Sequence, residues 1–328
     1  MIGIFKQKNP GNAFVLLVYA LVLKFSIFIH PVIPSLHKED NFLYRIILNA
    51  LLSLFGNAPV FFSIITFFLL FTQATLFNRI CNYQKLFPKA NFLTGMSYIL
   101  VTSLLPSWNY FSAPLLINSV MIWIFYRMTT LYNSNKSDAA IFNIGVMTGI
   151  ITLLYLPAMA FILLVFFALM IMRPFRVREW LMGVLGFTTP YYFLFIALYL
   201  TNRWSWKNVV PEIIFRLPGI PSNIWITCGI ILLIIPFMIG GYFIQFNLNK
   251  MLIQIRKSWS LMLLYLLVGV IIILINHVDF YENWIVTAVP FSAFHAAAYY
   301  YSNDKVLPKL THWLTFAFIL WMNYLVKA

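Results

Sequence analysis

Only eight carboxylates occur in the 328 residues of this chain, and two of them stand side by side as Glu39-Asp40. They belong to His37-Lys38-Glu39-Asp40, the first hydrophilic break after a long apolar segment. Adjacent acids of this kind serve either as a catalytic acid pair or as the cap of a helix that follows them. A second concentration of ionisable groups lies at His277-Val278-Asp279-Phe280-Tyr281-Glu282-Asn283. Lys24 falls near the middle of the first apolar segment, and no acid lies inside any expected span to pair with it. A lysine at that depth is a functional candidate by default, because its desolvation must be relieved by water, by backbone groups or by an anionic ligand. His295 and His312 lie in or beside apolar segments and read as hydrogen-bonded packing residues.

The elements that must position these groups are read from composition. Hydrophobic residues make up 62% of the chain and charged residues 9%, too few to cover a soluble fold. The sequence therefore predicts an all-α, polytopic membrane bundle forming a single integral domain over 1–328. About eleven spans (range nine to eleven) are expected, at 12–34, 58–77, 91–105, 113–131, 139–157, 158–172, 180–200, 222–246, 258–276, 284–301 and 311–326. Met1 to Pro10 has no small-residue cleavage pattern behind it and is expected to be retained. Cys81 and Cys228 are expected to be free thiols.

The net charge of +14 invites a nucleic-acid reading. The cations are not gathered with interleaved aromatics into a patch, and no nucleic-acid partner is expected. They follow topology instead. With the N-terminus cytoplasmic, Lys6, Lys8, Arg79, Lys85, Lys89, Arg127, Lys136, Arg173, Arg176, Arg178, Lys250, Arg256, Lys257, Lys305 and Lys309 share the inner side, while Glu39, Asp40, Glu212, Asp279 and Glu282 lie outside. A multi-pass protein of a bacterial inner membrane is the resulting expectation. The short basic inner loops are anchors, so a polar site should face outward.

The first outside loop, 35–57, carries Asn41, Arg45, Asn49 and Ser53 at a spacing of four, a polar stripe on an otherwise apolar helix lying in the interface. Gly56 is placed to end that helix, and Asn57-Ala58-Pro59 turns the chain into the next span. The third outside loop, 201–221, has the composition of a second interfacial segment. No Walker loop, dinucleotide fingerprint, zinc-type cluster or GxSxG elbow is present, so ATP hydrolysis, nicotinamide chemistry and serine hydrolysis find no support. The scarcity of intramembrane acids argues against ion-coupled transport.

A long first span followed at once by Glu39-Asp40, an amphipathic helix, and spans joined by short basic inner loops resembles the GT-C class of integral membrane glycosyltransferases. The pairs of spans from Arg79 to Leu200, with the turn Tyr155-Leu156-Pro157, look similar too, and the likeness covers about the first two thirds of the chain. A further acid common in the second outside loop of that class is missing from Pro106 to Phe111, and so is a large C-terminal outside domain. The chain also has the general look of uncharacterised inner-membrane proteins of Bacteroidota.

The resemblance implies a polyprenyl-phosphate-linked sugar donor used at the periplasmic face, with Asp40, or failing it Glu39, as general base. It implies Arg45, Arg203 and Arg216 as donor-phosphate ligands, and it keeps Lys24, Asp279, Glu282 and His277 as secondary candidates. No metal ligand is assigned and no cofactor is established, and a divalent cation stays open. The plain alternative for Asp40 is an N-cap accepting the amides of Phe42 or Leu43. Two other functions stand beside the enzyme: a non-catalytic subunit of an envelope assembly, such as a secretion or motility complex, with protein partners on its outer loops, and a lipid or polymer translocase.

Overall fold

A computed structural model describes residues 1–56, 58–134, 137–202, 223–275, 281–302 and 306–324. Arg203, Arg216, His277 and Asp279, and the 201–221 loop beyond Asn202, lie outside the described residues. The described chain is helical. In order it forms α1 (Ile2–Phe5), α2 (Asn12–Lys24), α3 (Ser26–Ile29), α4 (Phe42–Phe55), α5 (Pro59–Tyr83), α6 (Leu93–Thr102) and α7 (Ala113–Thr129). It continues with α8 (Asp138–Leu154), α9 (Phe161–Met172), α10 (Val177–Leu200), α11 (Ile224–Asn247), α12 (Ile253–Leu274), α13 (Ala288–Tyr301) and α14 (Val306–Tyr324). Three tight 3-10 turns, Pro106–Asn109, Leu156–Ala160 and Tyr281–Thr287, join α6 to α7 and α8 to α9 and lead into α13. Local chemistry sets many starts: proline opens α5 and stands second in α7, and Ser112 and Asn223 cap α7 and α11 with their side chains.

Among the described residues four helices, α5, α10, α11 and α12, are long and apolar enough to cross a membrane. The other expected spans are represented by shorter pieces. Residues 12–34 do not form one helix: α2 ends at Lys24, α3 adds one turn, and the chain runs without helix from Pro31 to Lys38. Proline at 31 and 34 cannot continue a helical ladder. α6 has only ten residues, all buried. A helix so enclosed is held by its neighbours and not by its own length.

The buried side chains from Ile2 to Ile319 form one contiguous cluster. α8 and α10 meet at glycines. A Cβ on Gly186 would collide with the Phe142 carbonyl, and one on Gly145 would come within 2.5 Å of the Gly183 carbonyl. Small residues permit this backbone approach, which is the usual solution where lipid-like surroundings give no hydrophobic drive between helices. Gly240 on α11 does the same against the Phe294 carbonyl of α13.

The connections sort to two ends of the bundle. At one end the 31–41 segment meets the 154–156 turn and the 281–287 turn, and Trp108 Nε1 donates to the Tyr281 carbonyl at 2.7 Å. At the other, Phe92 N donates to the Phe5 carbonyl at 2.7 Å, Lys89 N to the Tyr300 hydroxyl at 3.1 Å, and Trp259 Nε1 to the Leu86 carbonyl at 3.4 Å.

Candidate functional site

Glu39 and Asp40 are fixed by a partner far away in sequence. Asp40 and Tyr155 form an isolated antiparallel bridge: Asn41 N donates to the Leu154 carbonyl at 3.1 Å, and Leu156 N donates to the Glu39 carbonyl at 3.1 Å. Asn41 Nδ2 adds a bond to the Thr152 carbonyl at 2.8 Å. α8 unwinds at Tyr155 ahead of Pro157, which frees backbone groups there, and the 39–41 segment takes them up. The aromatic-proline turn and the acidic pair are thus one unit.

α4 follows as the stripe of polar residues predicts, ending at Gly56 with φ +60°. Its cap differs by one residue. Asn41, not Asp40, occupies the N-cap and accepts from Phe42 N at 2.7 Å. The Asp40 carboxylate turns back and accepts from His37 N at 2.8 Å, closing a local turn of the kind short acidic side chains favour. The cap reading of Asp40 is therefore corrected, and that residue is released from the role that competed with chemistry.

Glu39 is 5% exposed. Its Oε2 accepts from the Tyr155 hydroxyl at 2.9 Å and from Asn283 Nδ2 at 2.8 Å. Its Oε1 is buried without a hydrogen-bond partner among the described residues. Burial, which disfavours the charged form, pushes the carboxyl up to about 7; the Tyr155 and Asn283 donors pull it down, and the neighbouring Asp40 charge raises it. Both donors converge on one oxygen, so the proton belongs on the other. Burial also raises Asp40, against the His37 amide, His37 itself and Arg45. Glu282 is raised by burial as well, with His37 lowering it and Asp40 raising it, and its Oε2 lies 3.6 Å from His37 Nε2.

Asp40 and Glu282 border a narrow cleft with a void of about 450 Å³ counted out to open solvent, and Glu39 lies behind its Tyr155 and Asn283 walls. Asp40, Tyr44, Tyr110, Tyr155, Glu282 and Asn283 are among its walls, with His37 and Ser35 at the first loop. The arrangement places several acids with neutral hydroxyl and amide groups around one opening, a set suited to binding hydroxyl-rich ligands and accepting a proton from them. Among the described residues no three His, Cys, Asp or Glu side chains group as metal ligands.

Arg45 stands on the exposed side of α4, its Nε donating to the Asp40 carbonyl at 3.0 Å, so it is tied to the rim of the same site. Lys24 is not part of it. Its ammonium is 1% exposed and donates to the Thr102 carbonyl at 3.1 Å and to Asn109 Oδ1 at 2.8 Å. Thr102 is the last residue of α6, so the lysine caps that helix from a neighbouring one and meets the negative end of its dipole. That explains a buried cation beside no acid.

At the opposite end, Arg173 makes a closed buried fork with Glu179: Nη2 to Oε1 at 2.7 Å and Nε to Oε2 at 3.2 Å. Ser137 Oγ bonds both partners, and Arg173 Nη1 reaches the Ser134 carbonyl at 2.7 Å. This loop charge is structural in a way that loop composition alone does not reveal. Cys81 and Cys228 are free thiols.

Sequence reading names Glu39, Asp40, Arg45 and Glu282, and the structure gathers these four at one end. It misses Asn283 and the use of Tyr155 as the donor to Glu39; the Tyr155-Leu156-Pro157 break and the polar run ending at Asn283 are the signals that pointed there. Comparison with family models, curated proteins and solved structures finds no match to the chain.

Proposed function

We propose that the protein is a multi-pass membrane transferase of GT-C-like organisation. It takes sugar from a polyprenyl-phosphate donor at the Glu39 end of the bundle, which faces the periplasm. The eleven apolar segments, cytoplasmic N-terminus and inner-membrane location belong to the same proposal. The observation that carries it is Glu39: a buried carboxyl with one unpartnered oxygen, poised near neutrality behind the Tyr155 and Asn283 walls of a cleft. A general base works best when its proton affinity lies near the working pH. Glu39 thus takes the proton from an acceptor hydroxyl as that oxygen attacks the sugar carbon, while the bond from that carbon to the phosphate oxygen breaks and polyprenyl phosphate leaves with the electron pair beside Arg45. Asp40 and Glu282 hold neighbouring hydroxyls.

The cleft's own charge assigns its occupant. Asp40 and Glu282 on its walls repel a phosphate, so the neutral acceptor enters the cleft and the donor phosphate stays at the rim by Arg45, whose guanidinium suits phosphate oxygens. The lipid tail lies along the apolar faces of neighbouring helices.

The test uses protein purified in mild detergent with a polyprenyl-phosphate-linked sugar and a panel of free sugars. Transfer by the wild type, lost in Glu39→Gln, is the expected result. No transfer by wild type, together with a stoichiometric co-purifying protein, would overturn the enzyme reading in favour of an envelope-assembly subunit.

A further inference from the structure

His312, on α14, is fully buried, and neither of its ring nitrogens has a hydrogen-bond partner among the described residues. Its ring stacks on Tyr19 of α2, with centroids 6.0 Å apart and planes at 19°, and meets Tyr299 of α13 edge-on, also at 6.0 Å. Tyr19 is 3% exposed and Tyr299 is fully buried; the Tyr19 phenol oxygen is likewise without a partner among the described residues, and that of Tyr299 has only the Thr311 side chain near it. Phe5 and Phe316 complete the box, packing against Tyr19.

Four polar atoms on three neighbouring side chains, drawn from three helices, are thus left without a full set of partners inside one apolar enclosure. Isolated orphans occur in native proteins; a cluster of complementary ones marks a site for something that satisfies them. A neutral imidazole offers one donor and one acceptor, and each phenol offers both, so the set is matched to a small neutral species that donates and accepts equally. It does not suit a metal ion, which would need further nitrogen, sulfur or carboxylate ligands. Nor does it suit a bulky ligand, because aromatic rings close the box on several sides.

We infer that the Tyr19–His312–Tyr299 box is an internal water site. At roughly three hydrogen bonds per buried water, about two molecules satisfy the four atoms while bonding to each other. Water there links His312 to both hydroxyls and gives its ring proton a route to exchange. It stands near the N-terminal helix, at the end opposite Glu39, and is independent of the proposed transferase site.

Removing the Tyr19 hydroxyl separates a wet box from a dry one. Tyr19→Phe takes away an unpaired group, so a dry box gains thermal stability or keeps it. A wet box loses bridged bonds, and the melting temperature falls by about 2–4 °C for each kcal/mol lost. The second measurement is solvent exchange of the His312 ring proton, followed by ¹⁵N-histidine spectra of the full chain and assigned with His312→Phe. Exchange into D₂O while neighbouring α14 amides stay protected is expected. A ring proton retained as long as those amides, with Tyr19→Phe no less stable than wild type, would overturn the inference.

Discussion

Replacing Glu39 by Gln keeps the side-chain shape and an oxygen to accept from Tyr155 and Asn283, while deleting the ionisation. The folded protein holds the Glu39 proton up to about 7, against an ordinary value of 4.5. A raised carboxyl makes its contribution below pH 4.5 and loses it as pH climbs through 7, since the unfolded chain then releases the proton more readily than the folded one. A gap of about 2.5 units at about 1.36 kcal/mol per unit sets a ceiling of about 3 kcal/mol. Water in the open cleft screens the charge, which brings the working figure to about 1–2 kcal/mol. Thermal unfolding in detergent, followed by tryptophan fluorescence from pH 5 to pH 8, reads it directly. The wild type should lose several degrees across that window relative to Glu39→Gln, the two curves meeting at the acid end. Subtracting the variant removes the parallel contributions of Asp40 and Glu282, which the substitution leaves in place. Curves that run parallel from pH 5 to 8 would refute the claim that Glu39 titrates near neutrality.

Tyr155→Phe removes a donor that favours the charged form, so the pH midpoint of the Glu39-dependent loss should move upward by about one unit, as a hydrogen bond to a charged group of about 1.5–3 kcal/mol implies. Arg173→Ala takes the main cation from the buried Glu179 carboxylate, leaving Ser137 Oγ and Arg176 at 3.9 Å, and should cost about 1.5–3 kcal/mol by thermal unfolding, whereas replacing both partners with Met should recover most of it. Gly186→Leu should abolish recovery of monodisperse folded protein by size-exclusion chromatography, because its Cβ collides with the Phe142 backbone; Gly241→Leu, with nothing within 4 Å of its Cβ, should purify normally.

Much of the helical order was legible because it is local. The four-residue spacing of Asn41, Arg45, Asn49 and Ser53 and the stop at Gly56 are visible in the chain, and α4 follows them. The cap lay one residue from its expected place because a turn decides it: Asp40 spends its carboxylate on His37 N, and Asn41 is left to cap. Span lengths were less legible. α6 needs only ten residues because its neighbours bury all of them, and hydropathy along one segment does not register that shelter. The Lys24 puzzle was plain in sequence, but its answer is the end of another helix 78 residues away. Likewise nothing local joins Glu39 to Tyr155 across 116 positions or to Asn283 across 244, and these contacts turn an acidic pair into a site.

The most direct measurement compares the glycolipid and glycan profile of cells lacking the protein with that of cells carrying Glu39→Gln at wild-type abundance. The account predicts that deletion changes the profile, that the wild-type gene restores it, and that Glu39→Gln leaves it as in the deletion. Full restoration by Glu39→Gln would contradict the assignment of Glu39 as the base.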